Sequence, residues 1–322
     1  MQIENYYLFE NEISNWETWS IVFHSIKAFE PLVHHILVKE NLPVVKLEEC
    51  KPGTNAVFKA GSYVVKVFAP IESGMNTDND YITELFSMER ANELGINVPT
   101  LIAKGEVKDK YLFKYLIMEY AHGTELGDIR NRLTNNDKRF IGKQLRDITD
   151  RLNTYCTSFN NVNIKERVLV NKKWNALPDS FVNERLGYVQ GLAMNDLVYV
   201  HGDLNKDNIL VDDNNTLTII DFADALLAPR EYELAVLICE VFDFSRPYLE
   251  GFFGIVDLED ITDKCLKGLL IHEFGLTIIK DNIGHIDEIN NIAVLKSKMD
   301  TKGMRTDFHT FAIILDLEKC KR

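Results

Sequence analysis

The sequence predicts an α+β chain of two lobes, a small β-rich N-terminal one and a larger, mostly helical C-terminal one. Three observations predict it. Short β-like runs concentrate between residues 44 and 120. After Gly123 the apolar residues recur at helical spacing. One compact strand–loop–strand unit, 197–222, interrupts the helical half. The boundary falls near 120–123 and divides 1–120, with a helical extension over 1–43, from 121–322.

Residues 16–41 carry helix-like apolar spacing, with an interruption expected near Pro31, whose ring lacks an N–H and crowds the preceding turn. Runs 44–49, 56–60 and 62–68 are short and β-like, the first two joined by the turn-forming CKPGTN. A helix over 80–95 stops at Gly95, with Pro99 just beyond. Runs 100–106 and 111–120 surround the turn KDK. Helices are expected over 124–160 and 180–196 and, after the 197–222 unit, to the end of the chain.

Composition narrows the function classes. The chain has 322 residues, 46% of them hydrophobic, enough for a substantial core. Its 36 Lys and Arg face 49 Asp and Glu, a net charge of −13. Such a surface repels polynucleotide phosphates and anionic lipid, so neither nucleic acid nor membrane is expected as a partner. A polycation would be attracted, but a plain acidic soluble protein is the simpler account of the charge. No stretch approaches the ~20 apolar residues of a membrane span, and MQIENYYLFENEI has no basic patch followed by an apolar run. Cys50, Cys156, Cys239, Cys265 and Cys320 are odd in number and never form Cys-x-x-Cys. Neither a disulfide framework nor a zinc knuckle fits, and a reduced, cytoplasmic protein is expected. Oligomeric state leaves no signal.

The chemistry concentrates in LVYVHGDLNKDNILVDDNNTLTIIDFADA, residues 197–225. β-like runs 209–211 and 216–220 flank DDNN, the pattern of a hairpin. Asp203 and Asn208 precede it and Asp221 follows it, so its two open ends can bring these side chains together. Phosphoryl transfer needs such convergence: a carboxylate orients the attacking hydroxyl, and oxygen ligands hold a divalent cation against the triphosphate. On strand 62–68, alternation puts Val64, Lys66 and Phe68 on one face. An inward lysine needs a partner, because breaking a buried ion pair costs about 3–5 kcal/mol. Glu84, Met88, Ala91 and Gly95 share one helical stripe, with Glu89 and Glu93 as rival carboxylates.

The string His201-Gly202-Asp203-x-x-x-x-Asn208, followed by Ile220-Asp221-Phe222, resembles the catalytic and metal-binding loops of the aminoglycoside phosphotransferase family. It is also similar to the H-R-D-x-x-x-x-N and D-F-G motifs of protein kinases. The likeness covers about residues 45–245 and implies a protein-kinase-like fold with 1–120 as the nucleotide-binding lobe. It implies Asp203 as catalytic base, Asn208 and Asp221 as Mg²⁺ ligands, and Lys66 with Glu84 on the nucleotide side. Gly53, Thr54 and Asn55 resemble the family's short phosphate loop, although Pro-Gly-Thr-Asn reads equally well as a hairpin turn. YLIMEYAHGTEL resembles the kinase hinge, which implies that Met118 backs the base pocket while the Glu119 carbonyl and Ala121 N–H meet the base edge. PREYELAVL resembles the family's D-L-A helix start with Glu233 in place of aspartate, a buttress for the catalytic loop. His201 is expected to support that loop.

The expected activity is transfer of the γ-phosphate of ATP or GTP to a hydroxyl of a small molecule, with an aminoglycoside-like acceptor favoured and antibiotic resistance as one corollary. Choline-like and sugar-like acceptors stand as alternatives. VDLEDITDK, residues 256–264, offers carboxylates for a cationic acceptor, against the plainer reading of a solvated acidic loop. A protein kinase needs a long platform between D-F-G and A-P-E, whereas Asp221 is followed seven residues later by Ala228-Pro229-Arg230. A non-catalytic binding module is disfavoured because Lys66, Asp203, Asn208 and Asp221 are all present.

Overall fold

The structure, a computed structural model, describes residues 6–51 and 53–304. Cys320 and the last stretch of the expected helical lobe lie outside the described residues. The chain separates into two compact units, one running to Arg90 and adding Val98–His122, the other comprising Ala91–Asn97 and everything from Gly123 on.

The first unit opens with α1 (Trp16–Val22) and α2 (Ile26–Lys39). The break between them falls at 23–25 rather than near Pro31, which sits inside α2. Ser25 decides this, since its side chain caps α2 by accepting from the Ala28 N–H. Pro31 forfeits one helical hydrogen bond, and burial of Phe29, Leu32, Val33, Ile36 and Leu37 outweighs that loss. Strands β1 (Leu47–Glu49), β2 (Ala56–Ala60) and β3 (Tyr63–Val67) follow, then helix α3 (Thr77–Glu93), β4 (Leu101–Lys108) and β5 (Leu112–Glu119). The antiparallel sheet runs β1-β2-β3-β5-β4. β1 is shorter than the 44–49 expected, and α3 starts three residues earlier than read from periodicity.

The N-terminal extension is part of this unit's core. Phe29 lies 4.8 Å from Phe9 and 5.5 Å from Phe58 between ring centres, and Phe9 lies 5.2 Å from Phe113. Polar ties fix the register: Asp109 accepts the N–H groups of Leu8 (3.0 Å) and Phe9 (2.9 Å), and the Tyr111 hydroxyl accepts that of Ile13 (2.7 Å).

The second unit contains β6 (Thr124–Glu125), α4 (Leu126–Ile129), α5 (Asn135–Leu152), α6 (Ile164–Val170), α7 (Asp179–Gly191), β7 (Val198–Val200), β8 (Ile209–Val211), β9 (Leu217–Ile219) and β10 (Leu226–Ala228). Helix α8 (Glu231–Val236) runs on into a π-turn, Leu237–Val241, and is followed by α9 (Arg246–Phe253), α10 (Leu258–Ile271), α11 (Gly275–Asn282) and a helix over 292–304. The continuous helical stretch expected over 124–160 is broken: β6 precedes it, Thr134 caps α5 anew, and 153–163 is not helical. The β8–β9 hairpin is present with Ile209 opposite Ile219, and β6 adds to its free edge as β6-β8-β9. β7 pairs with β10 in a separate ribbon. Residues 91–97 join this unit through their backbone: the Ile219 N–H donates to the Asn97 carbonyl (2.9 Å), and Arg151 Nη1 donates to the carbonyls of Leu94 (2.9 Å) and Gly95 (2.8 Å). Among the described residues no single helix is long and apolar enough to cross a membrane.

Candidate functional site

In the first unit, β3 carries Lys66 between Val57 of β2 and Leu116 of β5. Its Nζ lies 2.5 Å from Glu84 Oε2, with the two side chains 6% and 2% exposed. Lys66 also lies 5.5 Å from the Phe68 ring centre, so the two share a face. Helix α3 buries Thr83, Glu84, Ser87, Met88 and Ala91 as one stripe. Gly95 is not on it; it lies past the helix end with φ 65°, where its backbone freedom closes the helix. The rival Glu93 is exposed, and Glu89 meets Lys104 at 3.5 Å on the surface.

Gly53 and Thr54 are exposed in the loop before β2, while Asn55 is buried and accepts the Ala69 N–H through Oδ1 (3.2 Å). Met118 and Glu119 end β5, Met118 buried and Glu119 exposed. The strand end is fixed by the Glu119 N–H on the Thr100 carbonyl (2.9 Å) and the Tyr120 N–H on the Ser62 carbonyl (2.8 Å). Ala121, next in line, is half-buried.

In the second unit the loop from His201 to Asn208 joins β7 to β8. Gly202 holds φ 85°, and a Cβ there would stand 2.1 Å from the Asp224 carbonyl oxygen, so no other residue fits. Glu233, wholly buried on α8, accepts the His201 N–H through Oε2 (2.6 Å), and Asn153 Nδ2 donates to the same oxygen at 3.5 Å. Burial lifts its carboxyl to about 7, against the pull of those donors. It therefore clamps the loop from below, as its place in the helix implies. His201 Nδ1 accepts the Asp203 N–H (3.3 Å), leaving Nε2 to donate to the Ile220 carbonyl (3.1 Å). His201 thus ties the loop to the hairpin's far end.

Asp203 sits half-buried at the centre of this unit's polar cluster. Asn208 Nδ2 donates to the Asp203 carbonyl (2.8 Å) and to Asp203 Oδ2 (3.1 Å). Asn205, unmarked in the sequence reading, donates Nδ2 to the same Oδ2 (3.1 Å) and accepts the N–H groups of Asp207 (2.8 Å) and Asn208 (3.2 Å). The Ile220 N–H donates to the Asn208 carbonyl (3.1 Å), which brings the far end of the hairpin alongside. Asp221 follows at once, exposed and in the left-handed region at φ 60°. Burial raises the Asp203 carboxyl to about 8, with Asp224 adding to the rise, the Asn205 hydrogen bond opposing it, and Asp221 and Glu240 contributing further. Asp224 and Glu240 were not singled out from sequence, because no spacing rule links them to Asp203; only the fold does.

The donor set fits Mg²⁺. Both Asn208 amide hydrogens are spent on Asp203, leaving Oδ1 as an available oxygen ligand, and Asp221 offers an exposed carboxylate. Among the described residues no three His, Cys, Asp or Glu side chains gather to hold a metal. One amide oxygen and one carboxylate suit an ion that completes its shell with phosphates and water. Three of the four acids of 256–264 are otherwise engaged: Asp257 caps α10, Asp260 holds Lys264 (2.5 Å), and Asp263 pairs with Lys296.

Residues 169–259 match the model of the phosphotransferase enzyme family. No curated protein matches the chain in sequence. Among solved structures, the GDP complex of aminoglycoside 2'-phosphotransferase-IIIa aligns with a TM-score of 0.57 at 16% identity, covering 84% of this chain and 98% of that one. A microcompartment-associated aminopropanol kinase aligns with a TM-score of 0.55 at 13% identity, covering 85% and 99%. Choline kinase LicA from Streptococcus pneumoniae aligns with 0.55 at 16%, covering 85% and 99%. The fold is the protein-kinase-like fold of the aminoglycoside kinases, and the sequence match to a phosphotransferase family spans the His201–Asn208 loop and the β8–β9 hairpin.

Proposed function

We propose that the chain transfers the γ-phosphate of ATP or GTP to a hydroxyl of a small, amine-bearing molecule. The observation that carries this reading is the Asp203–Asn208 pair at the open end of the β8–β9 hairpin, with Asp221 following Ile220. Asp203 accepts the proton of the acceptor hydroxyl; its raised proton affinity suits a base working near neutral pH. Asn205 and Asn208 hold its Oδ2, so its remaining oxygen, Oδ1, is the one aimed at the hydroxyl. Asn208 and Asp221 would hold Mg²⁺, which offsets triphosphate charge when bound. Lys66, fixed by Glu84, takes the phosphates, and the Gly53–Asn55 loop adds backbone donors. Met118, Glu119 and Ala121 receive the base. Catalysis here is positioning and charge stabilisation, with no covalent intermediate on the protein.

An amine-bearing acceptor is favoured because Asp224 and Glu240 add negative charge around Asp203. The aligned kinases are named for aminoglycoside, aminopropanol and choline, each an alcohol carrying nitrogen. The test is a coupled assay of nucleoside diphosphate formation, with Mg²⁺ and either ATP or GTP, across aminoglycosides, amino alcohols and sugars. Asp203→Asn should lower turnover of the true acceptor by at least ~10²-fold while nucleotide still binds. Near-full activity in that variant would remove Asp203 from its role.

A further inference from the structure

The N-terminal extension reaches the loop that the proposed function assigns to phosphate. Helix α1 is held at its start by a reciprocal cap between Asn15 and Thr18. Trp19, one turn on, is fully buried, stacked 6.1 Å from Phe23 and edge-on 5.7 Å from Phe29. A buried indole N–H must find an acceptor. Trp19 Nε1 finds the carbonyl of Thr54, at 2.9 Å.

That choice of partner sets the direction of a peptide plane. In a trans peptide the C=O of Thr54 and the N–H of Asn55 point opposite ways. Drawing the carbonyl inward to Trp19 turns the Asn55 N–H away from the core. The Asn55 side chain is pinned separately through Oδ1 on the Ala69 N–H (3.2 Å), so the plane cannot rotate freely about either end. Among the described residues no acceptor meets the Asn55 N–H. Beside it Gly53 borders open space, with nothing within 4 Å of where a Cβ would stand.

We propose that Trp19 is a positioning residue for nucleotide: its indole N–H orients the Thr54–Asn55 peptide so that the Asn55 N–H donates to a phosphate oxygen. This rests on the phosphotransferase reading above and deepens it by giving the helical extension a part in binding.

The test uses the full chain with MgADP and MgGDP as probes. Trp19→Phe keeps an aromatic ring in the same packing and removes only the donor. It should weaken binding of the preferred nucleotide about fivefold, the equivalent of one hydrogen bond. Phe23→Leu loosens the same aromatic cluster without touching the donor and should lower Tm while leaving nucleotide affinity in place. Unchanged affinity in Trp19→Phe overturns the inference alone; a wild-type chain that binds neither probe overturns the phosphotransferase reading together with it. Hydrogen exchange on the wild-type chain supplies a check that needs no variant: the Asn55 amide should gain protection when the bound nucleotide is added, and absence of protection counts against the proposal.

Discussion

Replacing Lys66 with methionine tests the first unit most sharply. The substitution keeps a long, flexible side chain in β3 and removes the ammonium 2.5 Å from Glu84. Glu84 is then left 2% exposed with its closest cation gone. Breaking a buried pair this way costs about 3–5 kcal/mol, because the stranded carboxylate cannot recover its hydration. Two comparisons isolate the cause. Lys104→Met breaks a 3.5 Å pair whose side chains are 50% and 62% exposed, and should cost under about 1 kcal/mol. Lys66→Met with Glu84→Leu removes both charges and should recover most of the loss, since an apolar pair of similar size can replace a buried ion pair at little cost. Equilibrium urea unfolding at pH 7, followed by far-UV circular dichroism, reads all three. The Lys66→Met deficit should also shrink at pH 5, where the stranded carboxylate can take up a proton. A Lys66→Met chain within about 1 kcal/mol of wild type would refute the burial argument.

Asp221→Ala should leave the fold intact and shift the Mg²⁺ dependence of turnover to higher concentration, measured by magnesium titration at fixed nucleotide; an unaltered midpoint removes Asp221 from the metal site. His272 gives a stability prediction with a definite sign. Burial, aided by Arg167 and Lys173, depresses its ring to about 3 from 6.5, so the fold holds it neutral. Its contribution is therefore full above pH 6.5 and is lost as pH falls toward 3, at about 1.4 kcal/mol per pH unit. His272→Leu should thus gain about 2 kcal/mol on wild type between pH 7 and pH 5 in urea unfolding, and equal pH slopes for the two chains would contradict it. Glu233 acts in the opposite sense, its stabilisation present below pH 4.5 and lost as pH rises through 7, but both chains carry it, so it cancels. Gly202→Ala should lose several kcal/mol or fail to fold, because a Cβ would stand 2.1 Å from the Asp224 carbonyl; a thermal scan within a few degrees of wild type would contradict the close approach.

Sequence reading went furthest where a repeat meets a chemical demand. Lys66 on an alternating strand and Glu84 on a 3.6-residue stripe each point inward, and both periods are visible without a structure. The β8–β9 hairpin was legible because DDNN punctuates two β-branched runs. Reading failed where the decisive contact is distant in sequence or the element is short. β6 and β10 have two and three residues, too few for any period to register, and exist because β8 and β7 offer edges to pair with. Proline is the louder signal in the sequence, yet the helix breaks at Ser25 and not at Pro31, because a cap that satisfies an otherwise unpaired N–H decides the boundary. Asn205 occupies a variable position of the motif, and only folding of the loop turns its amide onto Asp203. Asp224 and Glu240 bear on Asp203 through space, and nothing in their spacing says so.

The aromatic interior of the first unit is assembled from two stretches of chain, with Phe9 and Phe29 from the leader meeting Phe58 and Phe113 from the sheet. Neither half is a finished surface. Grafting these five strands onto a foreign leader would strip rings from one side of the interior and leave Phe58 and Phe113 facing water. Over evolutionary time the two stretches can drift only in concert, each substitution in one narrowing what the other tolerates.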